Sequence, residues 1–280
     1  MRKHVFRACV LAFMAGVWVG AAAAEKPAWV QSMKKVHAGF TGETGTFGQF
    51  GDSISDTMAF WTPLMYGTPR NMDADTKKDF ELVKSYSRTK LWRAWKGGRW
   101  GNKSRMTVRW IDANVEALLK KMNPEVVVFL FGSNDLKRVP AGEYKEKLRK
   151  VLKKILDNGT VVILTTIPPF YGRLEKSKEY AEIIRDVGGE LQVPVIDYMA
   201  EILKRRPDDW SGTLPQFAEG GQKGYGVLTL ISGDGVHPSN PKQYKKDFSE
   251  EGLRSSGYTL RNYLTMRAYA AVIRHVLQAK

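Results

Sequence analysis

Three apolar runs rich in β-branched residues, separated by stretches of helical periodicity, constrain this chain more than any other feature. They are Glu125–Phe131 (EVVVFLF), Thr160–Ile167 (TVVILTTI) and Val193–Asp197 (VPVID). Short runs apolar at consecutive positions fit strands covered on both faces. Between them, Ala113–Met122 places Val115, Leu118, Leu119 and Met122 on one helical face, and Glu143–Leu156 gathers Leu148, Val151, Leu152 and Ile155. Ser177–Val187 is a third helical pattern, and a helix over about Leu260–Leu277 closes the chain. Strands alternating with helices specify a parallel sheet with helices on both faces, because parallel neighbours need a long crossover. Thr46–Phe50 (TFGQF) reads as a short first strand, and a second is expected within residues 80–90. Residues 206–233, rich in Gly, Pro, Asp and Gln, read as a long loop of the kind that is often functional.

The N-terminus stands apart from this pattern. Arg2, Lys3 and Arg7 precede an uncharged stretch, Ala8–Ala24, that ends in four alanines. That is the pattern of a secretory signal peptide cleaved after Ala24, which leaves residues 25–280 as a single catalytic domain. The uncharged stretch is slightly short for a membrane span, so no stable membrane insertion is expected after cleavage. The expected location is the bacterial periplasm or the exterior. The only cysteine is Cys9, inside the signal, so the mature chain has no disulfide, cysteine nucleophile or thiolate metal site. Removing the signal takes three positive charges from the formal +15, leaving +12. Such a charge favours acidic partners, and export argues against nucleic acid as one of them.

In open parallel sheets, ligands bind at the carboxyl ends of the strands. Gly51-Asp52-Ser53-Ile54-Ser55 follows the first strand, and Gly132-Ser133-Asn134-Asp135 follows the Glu125–Phe131 strand. Asp234-Gly235-Val236-His237-Pro238-Ser239 precedes the last helix. In this order GDSIS, GSND and DGVHP resemble the SGNH/GDSL hydrolases, over a region from about Phe40 to the C-terminus. The stretches FGDSI, NPEVVV-x3-GSNDL and DGVHPSNP are similar to those of exported bacterial members. The resemblance implies a flavodoxin-like α/β/α sandwich with a central parallel sheet of about five strands. It also implies hydrolysis of a carboxylic ester with no cofactor.

The residues support the same chemistry. A serine hydroxyl is a poor nucleophile until a base takes its proton. The mature chain offers His37, His237 and His275, and only His237 lies in a glycine- and proline-flanked loop with a carboxylate three residues earlier. Asp234 at that spacing can bond the far imidazole nitrogen, so Ser53, Asp234 and His237 form the expected catalytic set. The oxyanion needs preorganised donors. Ser53 N–H is one; the resemblance supplies the Asn134 side chain as the second. The third is a backbone N–H from a glycine between the two motifs: Gly101, with Gly97 and Gly98 as alternatives. Asp52 and Asp135 are read as bracing these loops.

Other motifs are missing. No G-x-S-x-G elbow is present. No H-E-x-x-H occurs, and no metal site is expected. Asn71-x-Asp73-x-Asp75 begins like a calcium loop but lacks its glycine and places Leu82 where the bidentate Glu belongs.

From Val83 to Ile111 there is no acidic residue, and Tyr86, Trp92, Trp95, Trp100 and Trp110 are interleaved with nine Lys and Arg side chains. One reading is a surface for an acidic, acylated glycan, with Arg99 and Trp100 binding substrate. Nucleic-acid binding uses the same residue types, and a solvated basic face with core tryptophans is the plainer alternative. The substrate expected from export, this stretch and the family habit is an O-acetyl group on a carbohydrate, such as an acidic polysaccharide. The rival readings are a lipid esterase or thioesterase, and a glycan-binding protein that keeps the scaffold without catalysis.

Overall fold

The computed structural model describes residues 27–88, 96–219 and 224–278; the expected signal peptide lies outside them. Four strands form the sheet among the described residues: β1 (Phe47–Gly51), β2 (Val126–Leu130), β3 (Val161–Thr165) and β4 (Val195–Ile196). All pair in parallel, in the order β1-β2-β3-β4. The longer helices are α1 (Ala28–His37), α2 (Ala74–Tyr86), α3 (Val108–Met122), α4 (Ala141–Asp157), α5 (Leu174–Glu190), α6 (Tyr198–Arg205) and α7 (Gly257–Val272). A π-helical turn, Ile273–Leu277, extends α7.

The three-layer architecture follows from the apolar runs. Every residue of β1, β2 and β3 is buried, as a sheet covered on both faces requires. Helices α3, α4 and α5 pack side by side in one layer. In the other, α2 packs against α7, and α1 packs against the π-helical turn that extends α7. The inward residues of α3 and α4 include all eight apolar positions that the helical spacing selects: Val115, Leu118, Leu119 and Met122, then Leu148, Val151, Leu152 and Ile155.

One expectation is corrected. No strand forms within the described part of residues 80–90, because Ala74–Tyr86 is helical. Asp73 caps that helix, its Oδ1 accepting from Thr76 N–H at 2.7 Å. The inward face of α2 is partly polar: Asp79 is buried there and ion-paired with Arg267 and Arg274 of the C-terminal helical segment. A helix whose buried face carries charge escapes a search for apolar periodicity. The free edge of β1 is met instead by loop residues. Arg88 N–H bonds Gly45 O, Gly51 N–H bonds Gly101 O, and Lys103 N–H bonds Gly51 O, all within 3.0 Å.

The sheet's amino end is fastened by one buried carboxylate. Glu125 accepts from Gly45 N–H at 2.6 Å and from Tyr86 OH at 2.9 Å, and lies 3.0 Å from His37 Nε2. This ties α1, the loop before β1 and the end of α2 to the start of β2. Replacing Glu125 with Ala strands these groups around a void, so it is expected to cost about 3 kcal/mol. Urea unfolding should show a lower midpoint with an unchanged m-value.

Candidate active site

The residues that follow β1 and β2 meet because the strands run parallel in fixed register. Gly51 pairs with Leu130 at the carboxyl ends, so the turns that leave each strand emerge side by side. A Cβ on Gly51 would collide with the Ser55 side chain and the Leu130 carbonyl. Glycine there lets the first turn fold back tightly. That turn is closed by Ser55 N–H and Asp56 N–H, both bonding Asp52 O. It presents Ser53 half-buried at the edge of the sheet.

The third segment arrives from the far end of the sequence. Gly235 adopts φ +73°, and a Cβ there would meet Tyr171 Cβ at 2.8 Å, which is why the loop needs glycine between Asp234 and His237. Asp234 Oδ1 accepts from Ser232 Oγ at 2.7 Å and from Val236 N–H and His237 N–H at 2.9 Å each. Its other oxygen, Oδ2, lies 2.6 Å from His237 Nδ1. With Nδ1 donating to Asp234, Nε2 is left to accept from Ser53 Oγ at 2.8 Å. The structure thus brings Ser53, His237 and Asp234 into one hydrogen-bonded line. Burial works to raise the Asp234 pKa, but the donors from His237, Ser232 and Val236 outweigh it and hold the carboxyl well below its usual range. Its hydrogen bond in turn raises His237 above 6.5, against the opposing effect of burial. The other histidines among the described residues lie elsewhere: His37 on Glu125 at the amino end of the sheet, and His275 on the π-helical turn.

Asn134 stands beside Ser53 through Asp52. Its Nδ2 donates to Asp52 Oδ2 at 3.1 Å, and Asp52 Oδ1 accepts from Ile54 N–H at 3.0 Å. One Asn134 N–H is fixed in this way, and its second is left for another acceptor. Burial pushes the Asp52 carboxyl up to about 6, against the pull of the Ile54 N–H, Arg261, His237 and Asn134. Asp135 is also buried; burial raises it to about 7, against the Val108 N–H that its Oδ1 accepts at 2.9 Å. Both aspartates therefore brace the loops, as the sequence reading expects, tying the GDS turn, the GSND turn and the start of α3 together.

The glycine segment is less simple. Gly97 N–H donates to Asn102 Oδ1 at 2.8 Å. Gly101 N–H turns back to Gly98 O at 3.4 Å, the outer limit of a hydrogen bond, while its carbonyl accepts from Gly51. Gly101 itself is held at φ +90° against the Phe50 ring.

Ser53 and His237 open into a cleft of about 470 Å³, lined also by Asp56, Tyr225, Asn240 and Lys245. Arg99 and Trp100 are not among its lining residues. Trp100 instead packs half-buried beneath two cations, with Lys121 Nζ 4.3 Å and Arg99 Cζ 5.1 Å from its ring centroid. Trp110 packs 6.2 Å from Phe131, and Arg109 pairs with Glu143 at 2.6 Å. The described part of the basic stretch is thus largely structural; Lys90, Trp92, Arg93 and Trp95 lie outside the described residues. Sequence reasoning missed Tyr225 and Lys245, which sit in loops with no periodic pattern to mark them. Their nearness to the DGVHP segment was the one available signal. Among the described residues, no three His, Asp or Glu side chains cluster to hold a metal ion.

Residues 50–241 match the model of the GDSL-like Lipase/Acylhydrolase family. No curated protein matches the chain. Among solved structures, the chain is similar to a catalytic mutant of an acetylxylan esterase from Geobacillus stearothermophilus: TM-score 0.50 and 16% identity, covering 86% of this chain and 100% of that one. It is also similar to an alpha/beta hydrolase enzyme from the metagenome of Lake Arreo, Spain, with TM-score 0.50 and 15% identity over 83% of this chain and 98% of that one. A lipase/acylhydrolase from Enterococcus faecalis is 20% identical over 80% of this chain and 95% of its own, at TM-score 0.48. At these identities the likeness is one of fold.

The histidine–aspartate pair has a direct spectroscopic consequence. In an NMR titration, the His237 imidazole should protonate with a midpoint above 6.5. In Asp234→Asn the raising hydrogen bond to a charge is gone while the burial remains, so the midpoint should drop below the ordinary histidine value, about 6.5. An unchanged midpoint would mean that Asp234 does not set the state of His237.

Proposed function

Because the chain belongs to the GDSL-like lipase/acylhydrolase family, and is accordingly a carboxylic ester hydrolase, we propose that it is an exported serine esterase that removes O-acetyl groups from a carbohydrate. The observation that carries the mechanism is the unbroken line from Ser53 Oγ to His237 Nε2, and from His237 Nδ1 to Asp234, at 2.8 and 2.6 Å. In this reading Ser53 Oγ attacks the acyl carbon as His237 Nε2 takes its proton. Asp234 keeps Nδ1 protonated and stabilises the imidazolium as it forms. The proton then passes from His237 to the leaving alcohol, and the acyl group stays on Ser53. Water, deprotonated by the same imidazole, attacks the acyl carbon; the bond to Ser53 Oγ breaks, His237 returns the proton to Oγ, and acetate leaves.

The negative oxygen of each tetrahedral intermediate needs fixed donors. Ser53 N–H and the Asn134 amide proton not held by Asp52 supply two. Gly101 N–H supplies the third: its 3.4 Å bond to Gly98 O is long enough to be exchanged for a charged acceptor.

The character of the cleft supports a polar alcohol. Among the described residues Ala59 is the one purely aliphatic side chain that lines it; the others carry hydroxyl, amide, carboxylate, imidazole or ammonium groups. The cleft's polar groups suit an alcohol rich in hydroxyls, and chain-length preference decides between this reading and the lipid one. Tyr225 is 48% exposed, with its ring centroid 5.8 Å from that of His237, and so offers a flat face to a sugar ring beside the imidazole. Lys245 forms no ion pair among the described residues and lines the same cleft. Its free ammonium suits a carboxylate on an acidic polysaccharide. Export rests on the N-terminal signal pattern, with release to the periplasm or the exterior; among the described residues no helix is long and apolar enough to cross a membrane.

Hydrolysis of p-nitrophenyl esters from acetate to octanoate tests the reading. Acetate should be the best substrate, and Ser53→Ala should reduce its turnover by about 10⁴-fold or more. A preference for octanoate would return the case to lipids. Acetate release from acetylated polysaccharides tests the alcohol part. Lys245→Ala should raise KM by about fivefold on an acidic polymer, as befits one exposed charge, and leave a neutral polymer unaffected. Equal effects on both polymers would remove the carboxylate from the proposal.

A further inference from the structure

Behind the turn that carries Ser53 lie two cations without a carboxylate partner among the described residues. Arg261, on α7, is 1% exposed. Its guanidinium donates to Ile54 O at 2.6 Å and to Ser55 Oγ at 2.9 Å, and lies 3.6 Å over the centre of the Phe60 ring. Lys96 reaches the same turn. Its ammonium donates to Ser55 O at 2.9 Å, to Phe60 O at 3.3 Å and to the Gln49 side chain. The two residues after Ser53 therefore have both carbonyl oxygens and one hydroxyl oxygen held by positive charge.

This is an expensive arrangement to keep in a core. Buried cations lose their hydration and are normally paired with carboxylates. Arg261 Nε is buried with no hydrogen-bond partner among the described residues. Burial and the neighbouring Arg261 charge push the Lys96 ammonium down to about 7. An apolar side chain would fill either position at lower cost, so packing alone does not account for the pair.

The geometry points to a function for both charges. We propose that Arg261 and Lys96 are positioning residues that clamp the backbone just after Ser53, and that the positive field of Arg261 favours the negative oxygen formed when Ser53 attacks. The proposal rests on the reading of Ser53 as nucleophile. The carbonyls of Ile54 and Ser55 are drawn toward the cations, which fixes the two peptide planes that follow the serine. Asp56 N–H and Ser55 N–H are meanwhile fixed on Asp52 O. Ser53 Oγ thus meets His237 without first ordering its own turn, and a shift of about 1 Å in such a group costs roughly 100-fold in rate. The field has a second target. Arg261 lowers the pKa of buried Asp52, whose carboxylate holds the Asn134 amide at 3.1 Å. The same cation thus supports both the nucleophile's turn and the donor beside it.

The test uses the full chain and four variants: Ser53→Ala, Arg261→Met, Arg261→Lys and Lys96→Met. Turnover of p-nitrophenyl acetate is measured per active site, with the sites counted by titration with a fluorophosphonate. Arg261→Met should lose about 100-fold in kcat and Lys96→Met about tenfold, with KM within about threefold of the parent in each. Arg261→Lys should recover part of the loss, because the charge returns. Folded Arg261→Met and Lys96→Met proteins that turn over within about threefold of the parent would overturn the proposal. So would a loss explained entirely by fewer titratable sites, since that is what a merely structural role predicts. If Arg261→Met does not fold, Arg261→Lys and Lys96→Met decide by the same criteria. Parent-like turnover in Ser53→Ala would instead sink the reading of Ser53 itself.

Discussion

The parallel pairing of β1 with β2 is the constraint on which the site depends. Five consecutive residues are in register, from Phe47 opposite Val126 to Gly51 opposite Leu130. A slip of one residue would turn every side chain of β1 to the other face. It would also carry Ser53 out of reach of the turn that holds Asn134. The register is protected because both strands are buried on both faces and because each is followed by a turn that only small residues allow. Asp52 then joins the two turns through hydrogen bonds to Ile54 N–H and Asn134. The precision of the site comes from the sheet and passes into the loops through one buried carboxylate.

That carboxylate also shows how charge is distributed around the serine. Asp52 and Asp135 are buried with raised pKa values, and Lys96 and Arg261 are set close behind the same turn with lowered ones. Each departure has burial as its largest cause. None of these groups forms an ion pair among the described residues; the longer-range attraction between Arg261 and Asp52 offsets only part of what burial costs each. Asp234 is the contrast. It is partly exposed and rich in donors, and its pKa falls. The protein thus keeps a firmly ionised carboxylate where an imidazolium must be stabilised, and more easily neutralised ones where loops must be joined.

Much of this was legible in the chain. The apolar runs located the three strands from β2 to β4, and the helical spacing located α3, α4, α5 and the C-terminal helix. The GDSIS, GSND and DGVHP segments selected Ser53, Asn134, Asp234 and His237, which the structure brings to one edge of the sheet. The failures have physical causes. Residues 74–86 fold as a helix through the Asp73 cap and the Asp79 ion pairs, and neither appears as apolar periodicity. The basic–aromatic stretch suggested Arg99 and Trp100 as binding residues. Composition cannot tell a tryptophan that faces solvent from one packed beneath lysine and arginine, as Trp100 is.

The sequence by itself determined the fold class and the chemical groups available, because strand burial, helix periodicity and the need for glycine in tight turns are local properties of the chain. Only the tertiary structure decided which groups meet. Ser53 and His237 are 184 positions apart, and Arg261 reaches Ile54 across 207. No local pattern encodes a contact between residues so distant. It follows from the way the sheet sets its strand ends, and from α7 packing behind them with a cation aimed at the serine's turn.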